Sequence, residues 1–118
     1  PLTEVLTPEQ IAATTARTVN GGAEVVELLK TGSAYYAPGS SIAQMCEAII
    51  EDKHEVMSVC AYLDGEYGIE DVCMCVPVRL GRDGIEEVVE FDLNDAELAE
   101  LQASAKSIAE QVKGLGLA

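Results

Sequence analysis

Apolar residues recur at helical spacing before Glu55 and shift to alternation after it, so the chain reads as helices first and strands second. Thr7-Pro8-Glu9-Gln10 has the parts of a capped helix start. Thr7 can cap, Pro8 suits the first helical position, and Gln10 can close a capping box. The helix is predicted to run to about Arg17 or Val19. Asn20-Gly21-Gly22 then interrupts it, since each glycine inside a helix costs about 1 kcal/mol relative to alanine. Val25, Val26, Leu28 and Leu29 form a second apolar stripe ending near Lys30. The two stretches read as one kinked helix or as two short helices end to end. Ile42, Met45, Cys46 and Ile49 repeat at three and four, which predicts a further helix from about Pro38 to Asp52, with Ser40 or Ser41 as a rival cap.

Glu55 to Leu63 is rich in Val and aromatic residues and reads as a strand, closed by a hairpin-type turn at Asp64-Gly65. Asp71 to Leu80 places Val72, Met74, Val76, Val78 and Leu80 on one face; Pro77 removes a ladder donor there, implying an edge or a bulge. Gly81-Arg82-Asp83-Gly84 turns the chain into a third strand, Ile85 to Leu93, with its acidic residues outward. Asn94-Asp95-Ala96-Glu97 starts a closing helix with Leu98, Leu101, Ala105, Ile108 and Val112 on one face, ending near Lys113 before Gly114. Helices followed by antiparallel strands and a last helix make an α+β fold in one domain spanning residues 1–118, not a dinucleotide-binding alternation.

Charge narrows the partners. Seven Lys and Arg against twenty-one Asp and Glu give a net charge of −14, and no basic cluster exists to release counterions from nucleic acid or an anionic membrane. No apolar run approaches the roughly 18 residues of a spanning helix. The N-terminus shows no basic-then-apolar leader and opens at Pro1 without an initiator methionine, an opening that fits a piece cut from something longer about as well as an expression artefact.

Candidate chemistry is sparse. Cys46, Cys60, Cys73 and Cys75 contain no CxxC pair, and His54 cannot complete a finger-type zinc set by spacing. Cys73 and Cys75 share one strand face and offer a soft-metal pair; buried structural thiols are the expectation, and reduced thiols favour the cytoplasm. His54, between a helix and a strand, reads as an exposed connector in preference to a catalytic base. Asp64-Gly65-Glu66-Tyr67-Gly68 reads as a turn with an aromatic anchor, and alternatively as a subunit contact. No phosphate-cradling glycine loop is present in the sequence.

Longer words carry more. Asn20-Gly21-Gly22-Ala23-Glu24-Val25-Val26 and Leu28-Leu29-Lys30-Thr31-Gly32-Ser33-Ala34-Tyr35-Tyr36-Ala37-Pro38 stand in the same order as Ala61-Tyr62-Leu63-Asp64-Gly65-Glu66-Tyr67-Gly68, Val76-Pro77-Val78-Arg79-Leu80-Gly81 and Asp83-Gly84-Ile85-Glu86-Glu87-Val88. Together with the opening Pro1-Leu2-Thr3-Glu4, this resembles the malate dehydrogenases of the lactate-dehydrogenase-like group, over essentially the whole chain but only their C-terminal third.

The resemblance implies a C-terminal substrate domain of an enzyme that interconverts malate and oxaloacetate with NAD in central carbon metabolism, as a dimer or tetramer. It implies no metal. The family's glycine-rich loop, its catalytic histidine with an aspartate partner and its substrate-clamping arginine all precede the matched region, and none of those motifs is in these residues. His54 does not stand in the catalytic-histidine context. What transfers is that Gly32, Ser33 and Ala34 line the substrate pocket, with Ser33 and Ala34 interchangeable in the alignment, and that the helix after them closes its wall. The chain alone is expected to be inactive and to self-associate through apolar surface around the third helix and the Tyr35-Tyr36 loop. The competing readings are a lactate dehydrogenase fragment, a stand-alone noncatalytic interaction domain and a thiol-based metal buffer.

Overall fold

A computed structural model describes residues 2–116. The chain divides into two compact units, Pro1–Ile42 and Ala43–Ala118.

The first unit opens with a single 3-10 turn, Leu2–Glu4, and continues in one helix, α1, Pro8–Leu29. The predicted capping box is present: the Gln10 amide donates to Thr7 Oγ1 at 3.3 Å and the Thr7 amide to Gln10 Oε1 at 2.9 Å. Of the two readings, one kinked helix or two short ones, a single helix is observed, and Asn20-Gly21-Gly22 does not divide it. Local bonds bridge the weak stretch. The Arg17 guanidinium donates to Glu24 at 3.0 and 3.2 Å, two turns along, and Asn20 Nδ2 donates back to the Ala16 carbonyl at 2.8 Å. A penalty of about 1 kcal/mol per glycine is a weak prior, and exposed pairs of this kind return only a fraction of it. The helix stops at Lys30, whose φ of 64° leaves helical space.

The next helix, α2, Tyr36–Ile50, begins two residues before Pro38 and ahead of either serine. Pro38 still falls in the first turn, where a missing N–H costs nothing. Ser41 does not cap; its hydroxyl donates back to the Ala37 carbonyl at 3.0 Å.

In the second unit, β1 (Glu55–Asp64), β2 (Glu70–Gly81) and β3 (Gly84–Val88) form an antiparallel sheet in the order β1-β2-β3, and α3 (Asp95–Gly114) follows. Val72, Met74, Val76, Val78 and Leu80 are all buried on one face of β2, with Val59, Ala61 and Leu63 of β1 beside them. Each of the Val, Leu and Met side chains contributes about 1.5–3 kcal/mol on leaving water. Leu98, Leu101, Ala105 and Ile108 of α3 pack on that face, as does Met45 from the part of α2 within this unit. Asn94 caps α3 by accepting from the Ala96 and Glu97 amides, both at 3.0 Å. The fold is α+β, as the pattern predicts.

Three details differ from expectation. The β1–β2 connection is not a two-residue hairpin: Gly65, at φ 124°, leads into a 3-10 turn, Glu66–Gly68, in which Tyr67 sits at φ 55°. Of the edge or bulge expected at Pro77, β2 is no edge but the central strand, and the β2–β3 register shifts two residues on, between Arg79 and Leu80. The Pro77 carbonyl accepts from the Val89 amide at 2.8 Å, so the side of Pro77 that lacks a donor faces residues just past the end of β3. The third strand accordingly ends at Val88 and not at Leu93. Past it the backbone pairs with Tyr67 instead. The Phe91 amide donates to Tyr67 Oη at 2.9 Å, that hydroxyl donates to the Val89 carbonyl at 3.3 Å, and the Tyr67 amide donates to Glu90 Oε2 at 2.7 Å.

All four cysteines are exposed, which corrects the expectation of buried thiols. Cys60, Cys73 and Cys75 sit on the sheet face opposite the core, because they occupy the alternate positions to Val59, Met74 and Val76.

Candidate functional site

The segment Gly32-Ser33-Ala34 joins α1 to α2 within the first unit. Its course is set by left-handed backbone at Lys30 and at Gly32, φ 91°. Gly32 has a steric role as well. A Cβ added there would lie 2.6 Å from Tyr35 Oη and 3.0 Å from the ring, so only glycine lets Tyr35 fold back over the turn. The Tyr35 amide donates to the Ser33 carbonyl at 3.0 Å, leaving the Ser33 side chain exposed and Ala34 half-buried.

Ala34 is one wall of a hollow of about 270 Å³ lined by Gly21, Gly22, Val25, Ala34, Tyr36 and Ala37. Gly32 and Ser33 are not among its lining residues. Gly21 and Gly22, read from the sequence as a helix break, form its floor, since nothing lies within 4 Å of where either Cβ would stand. A paired glycine inside a helical pattern was the available signal: such residues usually have a packing or functional reason. The lining carries no cation, so this hollow gives a mostly apolar wall in which the Tyr36 phenol is the one side-chain donor.

A second cluster stands in the other unit, where Asp52, His54 and Glu86 bring ligand-type atoms within 4.8 Å of one another. His54 Nδ1 lies 2.8 Å from Glu86 Oε2, and Nε2 lies 3.6 Å from Asp52 Oδ1. Asp52 Oδ1 also accepts from the Arg82 amide at 2.8 Å, and Arg79 Nη1 donates to the His54 carbonyl at 3.1 Å. Glu86 reaches inward because β3 bulges: Arg79 pairs with Glu87 and Leu80 with Ile85, leaving Glu86 unpaired between them. Gly81 lies beneath, where a Cβ would stand 3.0 Å from His54 Nδ1. The hydrogen bond to Glu86, then the charges of Glu86 and Asp52, hold the His54 pKa above its ordinary value. The cluster thus works as a histidine–carboxylate clamp between the α2–β1 turn and the β2–β3 hairpin. His54 is exposed, as the sequence implies, but its partner 32 residues away is not legible locally. The three donors suit a borderline divalent cation in type, yet Arg82 already pairs with Asp52 at 3.7 Å and His54 with Glu86 at 2.8 Å.

Among the described residues nothing resembles a dinucleotide crevice. The sheet is antiparallel, and no glycine-rich turn leads from a strand into a helix. These residues do not fit NAD. No helix of the described residues is long and apolar enough to cross a membrane.

Comparison with known proteins places this geometry. Residues 2–115 match the family described as lactate/malate dehydrogenase, alpha/beta C-terminal domain. The chain is 48% identical over 117 residues to a malate dehydrogenase of Dehalococcoides mccartyi strain CBDB1, covering 99% of this chain and 38% of that protein. It is 52% identical over 108 residues to one of Halalkalibacterium halodurans, covering 92% of this chain and 34% of that protein. Among solved structures, the malate dehydrogenase of Salinibacter ruber superposes with a TM-score of 0.92 at 40% identity, covering 98% of this chain and 38% of that one. The lactate dehydrogenase of Eimeria maxima, solved with NADH and oxamate, gives 0.89 at 35% identity, covering 97% and 36%. The chain therefore spans little more than a third of the length of the proteins it matches.

Proposed function

We infer the function from kinship: the chain belongs to the lactate/malate dehydrogenase family, as its alpha/beta C-terminal domain. Residues 1–118 act together as the substrate-side domain of an NAD-dependent malate dehydrogenase, which interconverts malate and oxaloacetate in central carbon metabolism. What carries the reading is likeness over 99% of the chain to a protein named malate dehydrogenase. Malate is favoured over lactate because the curated relatives at 45–52% identity bear that name. Oxaloacetate and malate differ by one hydride and one proton, and NAD supplies or accepts the hydride when bound. The described residues offer NAD no place, and the hollow's one ionisable lining group is the Tyr36 phenol, so no chemical step is assigned to them.

The role proposed for the Gly32-Ser33-Ala34 segment is exclusion and shape. Ala34, against the glycine floor of α1, supplies a wall small enough to leave room for a four-carbon dicarboxylate, and Gly32 fixes the turn that presents it. Ser33, exposed, is the one hydroxyl of the three and is available to hydrogen-bond substrate or neighbouring protein. The arginines that pair with carboxylates bidentately would come from the rest of the enzyme. A cytoplasmic setting and a homo-oligomer, dimer or tetramer, complete the reading.

The wall is testable in the full-length dehydrogenase carrying this chain. Ala34→Leu adds three carbons to a confined space, and overpacking costs about 1–3 kcal/mol. The expected outcome is a KM for oxaloacetate raised about tenfold or more, at unchanged circular dichroism, since 1.4 kcal/mol is tenfold. Unchanged KM and kcat in the folded variant would remove Ala34 from the pocket.

A further inference from the structure

The exposed face of the sheet carries a thiol arrangement that the dehydrogenase reading does not use. Cys60 of β1 and Cys75 of β2 are direct partners in the register, with no register shift between them and Pro77. The phase of the ladder decides what such a partnership permits. In an antiparallel sheet a residue of the middle strand turns both its N–H and its C=O to one neighbour. Pro77 accepts from Val89 on the β3 side, so its pair with Ser58 of β1 is a non-hydrogen-bonded one. Cys75 lies two residues earlier on the same strand and Cys60 two later on the other. Their pair is therefore also non-hydrogen-bonded. Such pairs bring Cα atoms to about 4.5 Å with side chains on one face, just inside the roughly 4.4–6.8 Å range that a disulfide spans.

Both thiols are free and exposed, so an oxidant can reach them. Cys73 shares their face but is badly placed. It lies two residues along the strand from Cys75, about 6.6–6.8 Å away at the usual rise, and its own cross-strand partner is Tyr62. Tyr62 is in turn tied to Asp71 by a 2.6 Å hydrogen bond.

We propose that Cys60 and Cys75 are a reversible oxidation site, closing a cross-strand disulfide when the protein meets a peroxide. One thiol gives up its proton and its sulfur attacks a peroxide oxygen; the O–O bond breaks, the departing hydroxide takes up that proton, and a sulfenic acid and one water result. The second thiol sulfur then displaces the hydroxyl, the S–S bond forms, and a second water leaves with the remaining thiol proton. Two thiols give up two electrons and hydrogen peroxide accepts two. The product is exposed and sits at the short end of the usual Cα range, so a small dithiol reduces it readily.

The test treats the reduced chain with one equivalent of hydrogen peroxide and measures intact mass, free thiols and cross-linked peptides. Trypsin leaves Cys60, Cys73 and Cys75 on one peptide between Lys53 and Arg79, so the digest uses a protease cutting after Glu66 and Glu70. The expected product is a monomer about 2 Da lighter, with two of its four thiols lost and restored by dithiothreitol. Its cross-link joins the Cys60 peptide to the Cys73–Cys75 peptide. Cys73→Ser leaves it intact, and Cys60→Ser or Cys75→Ser abolishes it. A cross-link that survives Cys75→Ser, one between two chains, or stepwise oxygen addition without any cross-link would each overturn the proposal.

Discussion

His54 shows how much one side chain takes from its surroundings. Alone it is an exposed imidazole in a connector; in the fold it bridges Glu86 and Asp52 and helps close two turns on each other. Its pKa is raised, so the folded state binds its proton more tightly than the unfolded chain, whose value is near 6.5. The clamp's contribution to stability is then fully present below about pH 6.5 and is lost as pH rises through the folded pKa. It is the sole histidine in the sequence, so its ring resonances can be followed by NMR without ambiguity. The expected titration midpoint lies above that of an unstructured histidine and moves down in Glu86→Gln. A wild-type midpoint at or below the ordinary value would refute the clamp. The sequence showed the histidine and its exposure. It could not show Glu86, because a bulge 32 residues away decides where that carboxylate points.

Between elements, the decisive event is how the sheet ends. Val72, Met74, Val76, Val78 and Leu80 were legible as a buried face because period two is a property of the strand itself. The end of β3 at Val88 was not, because it depends on a proline in the neighbouring strand and a tyrosine in a distant turn. Pro77 leaves Val89 without a returning donor, and the Tyr67 hydroxyl serves Val89 and Phe91 in place of a strand. Gln102 of α3 secures the same turn by donating to the Tyr67 carbonyl at 2.9 Å. Tyr67→Phe keeps the ring and removes only the hydroxyl, leaving two part-buried backbone groups to find water. The expected loss is about 1–3 kcal/mol in urea unfolding, with faster hydrogen exchange at Phe91. Unchanged stability and unchanged exchange would mean that residues 89–91 are held by something else. Gly21 and Gly22 teach the converse: the propensity argument was local, α1 runs through them unbroken, and both glycines line the hollow beside Ala34.

For the whole molecule, the apolar ledger is open. No residue of α1 is buried, and Val19 and Leu28 are 79% and 74% exposed. Tyr35 and Tyr36 stand at 63% and 85%. Apolar patches beyond a few hundred Å² mark interaction surfaces, so the chain on its own is expected to self-associate at micromolar concentration by light scattering; a monomer would count against it. The most direct measurement follows oxaloacetate-dependent NADH oxidation by two proteins. One is the 118-residue chain alone. The other is the same chain joined behind the remaining N-terminal part of the Dehalococcoides mccartyi malate dehydrogenase. The predicted result is no turnover by the first and clear turnover by the second. Turnover by the chain alone, or a folded, NADH-binding fusion that leaves oxaloacetate untouched, would contradict its assignment as a malate dehydrogenase substrate domain.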